Sequence, residues 1–471
     1  MARALAFDVT DAGVLGVGEG GVLVGPSPGY ALVEEGRVLV GPEALSRARL
    51  RPRFVMSRFW ERLDAVPLGR PFPDGLTAAD LVHAHLRSLW ADVGAETAEV
   101  VLAVPGFHTS EALGRLLGIT QALEIPVVGL VDSAVAAAAV GFPGERLLLA
   151  DVHLHRATVT ELRQGEEIVR ERVAAIERWG LEEVHDAVAR RIAQAFVHKT
   201  RFDPFHAAET EQALHDRLPG WLERLGREDR VALSLSGGGR DHEVEVERAE
   251  VEEWARKYAE ELAQKVSLLK HPGEPTTLLV SAHAARIPGL VARLAAMRGS
   301  EVVLVPEQAA AAGALREHET LRAVKGGLRL FVTRLERREP MPEEGSPGVG
   351  AVLRPPPVAS DDVRVPVGGA LRPTHVLLGH RARALTAEPL VVGTAPSEGS
   401  RGLRLAGETA GVSRAHCRFF EVGGEVVLED LSTYGTFVNG EQIVGRAVVF
   451  SGDRVRVGSP GQELLLIATE E

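Results

Sequence analysis

The sequence predicts an α/β body built from two similar halves, followed after a linker by a β-sandwich or small barrel. Three observations carry this. RALAFDVTDAGVLGVGEGGVLV and RLLLADVHLHRATVTELRQGEEIV each run apolar strand, Asp, second strand, Gly-bearing turn, third strand. VVLAVPGFHTSEALGRLLGITQALEI pairs with TLLVSAHAARIPGLVARLAAM as strand, polar loop and amphipathic helix, and PVVGLVDSAVAAAAVG pairs with EVVLVPEQAAAAGAL as strand, acidic loop and Ala-rich helix. Matched pairs in one order imply two halves facing a cleft, where ligands of α/β halves usually sit. Near the C-terminus THVLLGHRARAL, EPLVVG, GEVVLEDL, GTFVNGEQI and DRVRVG are short alternating strands with turn signals between them.

The remaining segments fit between these landmarks. TAADLVHAHLRSLW reads as a helix with Thr77 as N-cap and Asp80 in the first turn, and its His83 and His85 share no face, which predicts surface positions. Residues 180–228 read as mostly helical, VALSLSGGGRDHEVEVE as a hairpin and RAEVEEWARKYAEELAQKVSLL as a helix. Gly237, Gly238 and Gly239 join two alternating strands, so they predict a hairpin turn, not a phosphate loop. GLRLFVTRL predicts one edge strand, and the Pro- and Gly-rich run over residues 339–370 predicts a linker. The expected organisation is a body over 1–320, an edge strand and linker over 321–371, and a β domain over 372–471.

Composition bounds the function. The 471 residues are 45% hydrophobic and 25% charged, ordinary for a globular protein of several domains. The net charge of −12 is spread without a basic block, so no nucleic-acid partner is expected. Cys417 is the single cysteine, which excludes an internal disulfide and a cysteine-based zinc knuckle. MARALAFDV lacks the order of a signal peptide, and the most apolar window, PVVGLVDSAVAAAAVGF, is broken by Asp132 and too short to span a bilayer. A cytoplasmic protein with no membrane partner is therefore expected.

Residues 1 to about 320 resemble the nucleotide-binding domain of the seventy-kilodalton heat-shock chaperones, in the actin-like ATPase superfamily. The resemblance rests on VVLAVPGFHTSEALGRLLGITQALEIPVVGLVDSAVAAAA, AHAARIPGL, PEQAAAAGAL and SLSGGGRDHEVEVERAEVEEW, which follow the family's order. It implies an actin-like, ribonuclease H-like two-lobed ATPase fold; the chaperone's peptide-binding domain is not recognisable. In that family two glycine-rich hairpins hold the ATP phosphates, because backbone N–H groups must approach the oxygens closely. The first hairpin here reads Asp8, Val9, Thr10, Asp11, Ala12, with the family's glycine gone and a negative charge added by Asp11. The second reads Asp151, Val152, His153, Leu154, His155, Arg156, with every glycine replaced, and Ser281, Ala282 and His283 stand where the adenosine loop begins Gly-Gly. The resemblance thus implies a pseudo-ATPase whose degenerate cleft holds Thr10, Asp11, His153, His155, Arg156 and His283. Asp8 and Asp151 align with carboxylates that organise Mg²⁺ and water, and Asp132 takes the place of a catalytic Glu; these are vestigial candidates. No cofactor is expected, with ATP and Mg²⁺ as the alternative.

In an extended strand Asp151, His153 and His155 point to one face. Three readings stay open: a zinc, iron or manganese site, aided by His283 or Asp8; side chains filling a vacated cleft; and a residual anion site using Arg156.

The C-terminal part, 372–471, resembles a forkhead-associated (FHA) domain through PLVVGTAP, GVSRAHCRF, LEDLSTYGTFVNGEQI and SGDRVRVG in the family's order. The resemblance implies a β-sandwich whose loops bind phosphothreonine peptides; a phosphate dianion needs charge-assisted donors. By position, Ser413 would bond the phosphate, Arg414 follows it in the loop, Thr433 would contact the phosphothreonine region, and His416 and Asn439 would brace the loops. Two departures matter: Gly393-Thr394 replaces the family's Gly-Arg, and Tyr434 replaces the Asn that holds the peptide backbone. Arg401 or Arg404 is a candidate for the missing cation, and a contact independent of phosphate is the other reading. Together these features predict a cytosolic scaffold or adaptor with a protein partner; the alternative is a divergent Mg-dependent ATP-binding chaperone or ATPase.

Overall fold

The computed structural model describes residues 3–94, 97–271, 274–297, 299–322, 331–337, 352–353, 372–378, 381–386, 388–396, 401–405, 411–422, 425–432, 435–443, 445–458 and 461–468. The chain divides into two compact units, Met1–Pro356 and Pro357–Glu471. The first is mixed α/β and the second is β-rich.

Two sheets of the first unit share one strand order. Arg3–Asp8, Val14–Gly18 and Gly21–Ser27 form an antiparallel meander, and Thr97–Val104 and Val127–Asp132 add in parallel on the far side of Arg3–Asp8. Arg146–Val152, Ala157–Gln164 and Glu167–Ile176 repeat the meander, with Thr276–Ser281 and Ser300–Val305 parallel beside Arg146–Val152. Asp8 and Asp151 thereby fall near the ends of equivalent first strands.

The Ala-rich helices Ser133–Ala138 and Ala309–Arg316 pack on each other, and one apolar cluster joins them to residues of both sheets, including Ala6, Val101, Leu149 and Leu279. Small side chains make this possible. A Cβ on Gly313 would lie 1.9 Å from the Ala136 carbonyl oxygen, so the two backbones meet only at glycine. Close helix contact draws the two sheets' Asp-bearing ends towards each other.

The helix Ala78–Val93 starts with a capping box: Thr77 accepts the Asp80 N–H, and the Asp80 carboxylate accepts the Thr77 N–H. His85 corrects the surface expectation. It follows Leu81 by four residues and Val82 by three, so it lies on the buried stripe. Trp60 donates to its Nδ1 at 3.0 Å, and its Nε2 lies 2.8 Å from Ser27 Oγ. Burial lowers its pKa to about 4.

Helices Leu181–Thr200, Ala208–Leu225 and Arg248–Leu269 surround the hairpin Arg230–Gly237/Arg240–Glu247. Gly238 and Gly239 form its turn with φ of 58° and 77°, a conformation that favours glycine. GLRLFVTRL does not give the single edge strand expected. Among its described residues, Phe331–Val332 pairs with Val127–Asp132, and Arg334–Glu336 pairs with Glu167–Ile176, so the segment steps from one sheet to the other. Within the Pro- and Gly-rich run, Val352–Leu353 pairs antiparallel with Ser300–Val305. Two residues suffice for a bridge without the long alternation that signals a strand.

In the second unit, one sheet holds His375–Leu378, Arg381–Ala384, Thr436–Val438, Glu441–Gln442, Arg454–Val457 and Gln462–Ile467, and the other holds Leu390–Gly393, Arg401–Arg404, Cys417–Val422, Glu425–Asp430 and Arg446–Val449. Val376, Val455 and Leu464 of the first sheet and Val392, Phe419 and Leu428 of the second form one core, as a sandwich requires. No helix among the described residues is long and apolar enough to cross a membrane.

Candidate functional sites

The strand leading to DVHLH ends at Val152. His153 N–H donates to Arg156 O at 2.8 Å and closes a turn, so the period of two stops there. Helix Leu181–Thr200 seats on this turn, with the Leu181 and Glu182 N–H groups bonded to the His153 and Leu154 carbonyls at 2.9 and 3.0 Å. Gly180 permits the approach, since a Cβ there would lie 2.5 Å from the turn backbone. The three-residue metal set read from an extended strand consequently does not form. His153 Nδ1 contacts Thr10 Oγ1 at 3.1 Å and its Nε2 lies 3.6 Å from Asp151, whereas His155 turns towards Ser57, Glu182 and Glu183. Among the described residues no group of three or more His, Cys, Asp and Glu is arranged to hold a metal ion.

Asp11 spans the gap between the two hairpin turns. Its carboxylate accepts the Leu154 N–H at 2.8 Å. Arg156 is engaged as well: it donates to Glu61 Oε1 at 2.7 and 3.2 Å and lies 4.2 Å over the Phe107 ring. The anion reading of Arg156 loses its free cation to these contacts. His155 lies at 3.2 Å from Glu182 and 3.4 Å from Glu183, while Arg58 bonds both Glu61 and Glu183. Burial opposes the His155 charge, but Glu183 and Glu182 outweigh it and raise the pKa.

A cavity of about 40 Å³ lies beyond the strand ends, lined by Asp8, Thr10, Ser133, Asp151, Ser281, His283 and Glu307 among others. That is room for a few waters. Asp8 Oδ1 is buried there and has no hydrogen-bond partner among the described residues; burial, then Asp151, pushes its pKa up to about 8. Asp151 accepts from Ser281 Oγ at 2.5 Å and from its neighbour Val152 N–H at 2.8 Å. Burial raises its pKa, yet His153, His283 and these donors bring it below the usual value. His283 Nε2 lies 3.3 Å from Glu307 without hydrogen-bond geometry, and His283 with Arg286 holds Glu307 down at about 2. Asp8 and Asp151 are the residues that would face a small cation. Two carboxylates without phosphate ligands are a sparse oxygen donor set for Mg²⁺.

Asp132 does not enter this cavity as a free carboxylate. Its Oδ1 caps helix Ser133–Ala138 through the Ala134 and Val135 N–H groups at 3.0 and 3.2 Å, and its Oδ2 pairs with Arg170 at 2.6 Å. Burial raises its pKa against the pull of Arg170 and the two amides. Arg58, Glu61, Phe107, Arg170, Glu182 and Glu183 give the cleft its character. No local motif marked them, because each acts through a residue distant in sequence.

In the second unit three loops are stitched at one end of the sandwich. Thr394 N–H donates to Ser413 O at 3.1 Å, Ala395 N–H to Arg414 O at 3.0 Å, and Leu405 N–H to Gly393 O at 2.9 Å. Buried His416 accepts the Ser413 N–H on Nδ1 and donates from Nε2 to Gly435 O, each at 3.0 Å, which joins the Ser413 loop to the strand start at Gly435. Asn439 bonds Asp453 and the Arg454 N–H at 2.6 and 2.9 Å. Arg414 is exposed. Arg404, exposed, donates from Nε to Thr394 O at 3.1 Å. Arg401 lies level with Leu390, at the other end of its strand, where it bonds Thr386 and the Ala384 and Glu388 carbonyls. Thr433 and Tyr434 lie outside the described residues.

Residues 399–458 match the family model of the FHA domain. The C-terminal unit therefore contains an FHA domain, a class of protein-interaction module. No curated protein is significantly similar to the chain.

Proposed function

We propose that this chain is a cytosolic adaptor without enzymatic activity: a body of the chaperone-like, actin-like ATPase fold with a self-filled nucleotide cleft, joined to an FHA module that binds a phosphothreonine-bearing protein. The repeated strand order and the Ala-rich helices between the sheets support the fold. The observation that carries the pseudo-ATPase reading is the Asp11 carboxylate on the Leu154 N–H, an internal anion on an amide of the turn that would otherwise face phosphate. His153 and His155 add bulk where backbone would have to lie bare, and about 40 Å³ remains beside Asp8 and Asp151. In the FHA module Ser413 and Arg414 offer a hydroxyl and a cation on one braced loop.

Thermal unfolding with ATP, ADP and Mg²⁺ tests the first half. Ligands that bind only the folded state raise Tm by mass action, so no shift is expected at millimolar nucleotide. A shift abolished by Asp8→Ala would replace this reading with the ATPase. Retention on a phosphothreonine peptide library tests the second half: Ser413→Ala is expected to abolish it, and equal retention on the unphosphorylated library overturns it.

A further inference from the structure

We propose that Arg404 is the residue that grips the phosphate group of the FHA ligand, reaching the binding loop from the strand beside it. This rests on the phosphothreonine reading above and assigns the dominant cation within that site. The strands Leu390–Gly393 and Arg401–Arg404 run parallel, with Gly393 paired to Arg404. The first strand therefore delivers Thr394, and the second Arg404, to the same end of the sandwich. Arg404 Nε is held on Thr394 O at 3.1 Å, and the Thr394 N–H and Oγ1 are both bonded to Ser413 O, at 3.1 and 3.4 Å. The guanidinium is thus tied, through one residue, to the loop that carries Ser413 and Arg414.

A guanidinium has five N–H donors, and the fork of two Nη groups matches the spacing of phosphate oxygens. The bond to Thr394 uses only Nε, and among the described residues the Nη groups have no hydrogen-bond or ion-pair partner. Arg404 has the attributes of a prepared anion ligand: fixed at its base, free at its fork, and exposed. Arg401 has none of them, since both its Nη groups are spent on Thr386 and two carbonyls, with Glu388 nearby. Arg414 is a second, unfixed cation, and its ordering on binding costs more side-chain entropy. Two cations with one preset also suit a dianion over a carboxylate.

The test uses the full chain on an immobilised peptide library with a fixed central phosphothreonine, beside the same library carrying threonine. Arg404→Gln is expected to lower phospho-specific retention by about tenfold or more, the usual scale for losing a charge-assisted contact, while Arg404→Lys keeps part of it as a point charge. Arg401→Gln should bind as the parent does. Adding Thr394→Arg to Arg404→Gln should restore retention, because position 394 lies beside the same loop. Parent-like retention of Arg404→Gln on the phospho-library overturns the role of Arg404 and leaves the phosphothreonine reading intact. Parent chain that binds both libraries equally, or neither, overturns both. Unchanged Tm of each variant excludes unfolding as the cause.

Discussion

The Asp11 carboxylate accepts the backbone N–H of Leu154 at 2.8 Å, tying the first hairpin turn to the second across 143 residues of sequence. Both partners are buried, so removing the acceptor leaves a donor without water. Asp11→Ala is expected to cost about 1–3 kcal/mol in chemical denaturation. Amide exchange at Leu154 should accelerate in the same variant, and Asp11→Asn should keep most of the protection. Exchange unchanged in Asp11→Ala would mean that the turns hold together without this bond.

Asp8 gives a pH signature of its own. Its pKa is raised to about 8 in the folded chain, so the native state binds a proton that the unfolded state releases above the ordinary carboxylate value of 3.8. The contribution of Asp8 to stability is accordingly fullest below pH 3.8 and declines as pH rises towards 8. Asp8→Asn mimics the protonated group and should flatten that slope, with a gain of about 2 kcal/mol near pH 8. Urea titrations at pH 5, 6.5 and 8 measure it; parallel profiles for parent and variant would show that Asp8 is ionised when folded.

His155 acts in a different window. It faces Ser57, Arg58, Glu182, Glu183 and Asp11, and its pKa is raised above 6.5 by the carboxylates despite burial. Its stabilising charge is fully present below pH 6.5 and is lost as pH rises through the raised value. His155→Gln should remove that fall, on the order of 1 kcal/mol, and leave the Asp8 slope in place. A variant with the parent's profile would assign the pH dependence elsewhere.

The half-buried Arg170 of a strand in the second sheet pairs at 2.6 Å with the fully buried Asp132, the helix cap that follows a strand of the first. Arg170→Met should destabilise by about 3 kcal/mol, because a buried carboxylate is left with only its two amides. Asp132→Asn in that background should recover part of the loss. A double-mutant cycle that closes without coupling would show the pair to be independent. Gly106→Ala should also destabilise, since its Cβ would lie 2.4 Å from Asp132 Oδ2 and 2.7 Å from Arg170 Nη1.

Much of the architecture was legible because it is written in local period. The paired strand–Asp–strand segments became two sheets of one order, Thr77 and Asp80 became a capping box, and Gly238 with Gly239 became a hairpin turn. The FHA segment was legible for a different reason: its loop residues carry side chains of fixed type at fixed spacing. Sequence reading failed where a single hydrogen bond changes direction. His153 N–H bonding back to Arg156 O turned an expected strand face into a turn and sent two histidines to different partners. His85 departs from the surface expectation because its three- and four-residue spacings to Val82 and Leu81, and not its spacing to His83, set the face it lies on.

By itself the sequence determined the order of strands and helices, the side chains that stand in both hairpin turns, and the FHA loop set. Those properties depend on residue type and near-neighbour spacing. Tertiary structure alone decided what these and nearby side chains bind: Asp11 on Leu154, Arg156 on Glu61, His155 between Glu182 and Glu183, and Arg170 on Asp132. It also decided that Arg404, and not Arg401, stands beside the Ser413 loop. Hydrogen bonds and ion pairs act over a few ångströms between residues far apart in sequence, so their partners exist only once the sheets have brought them together.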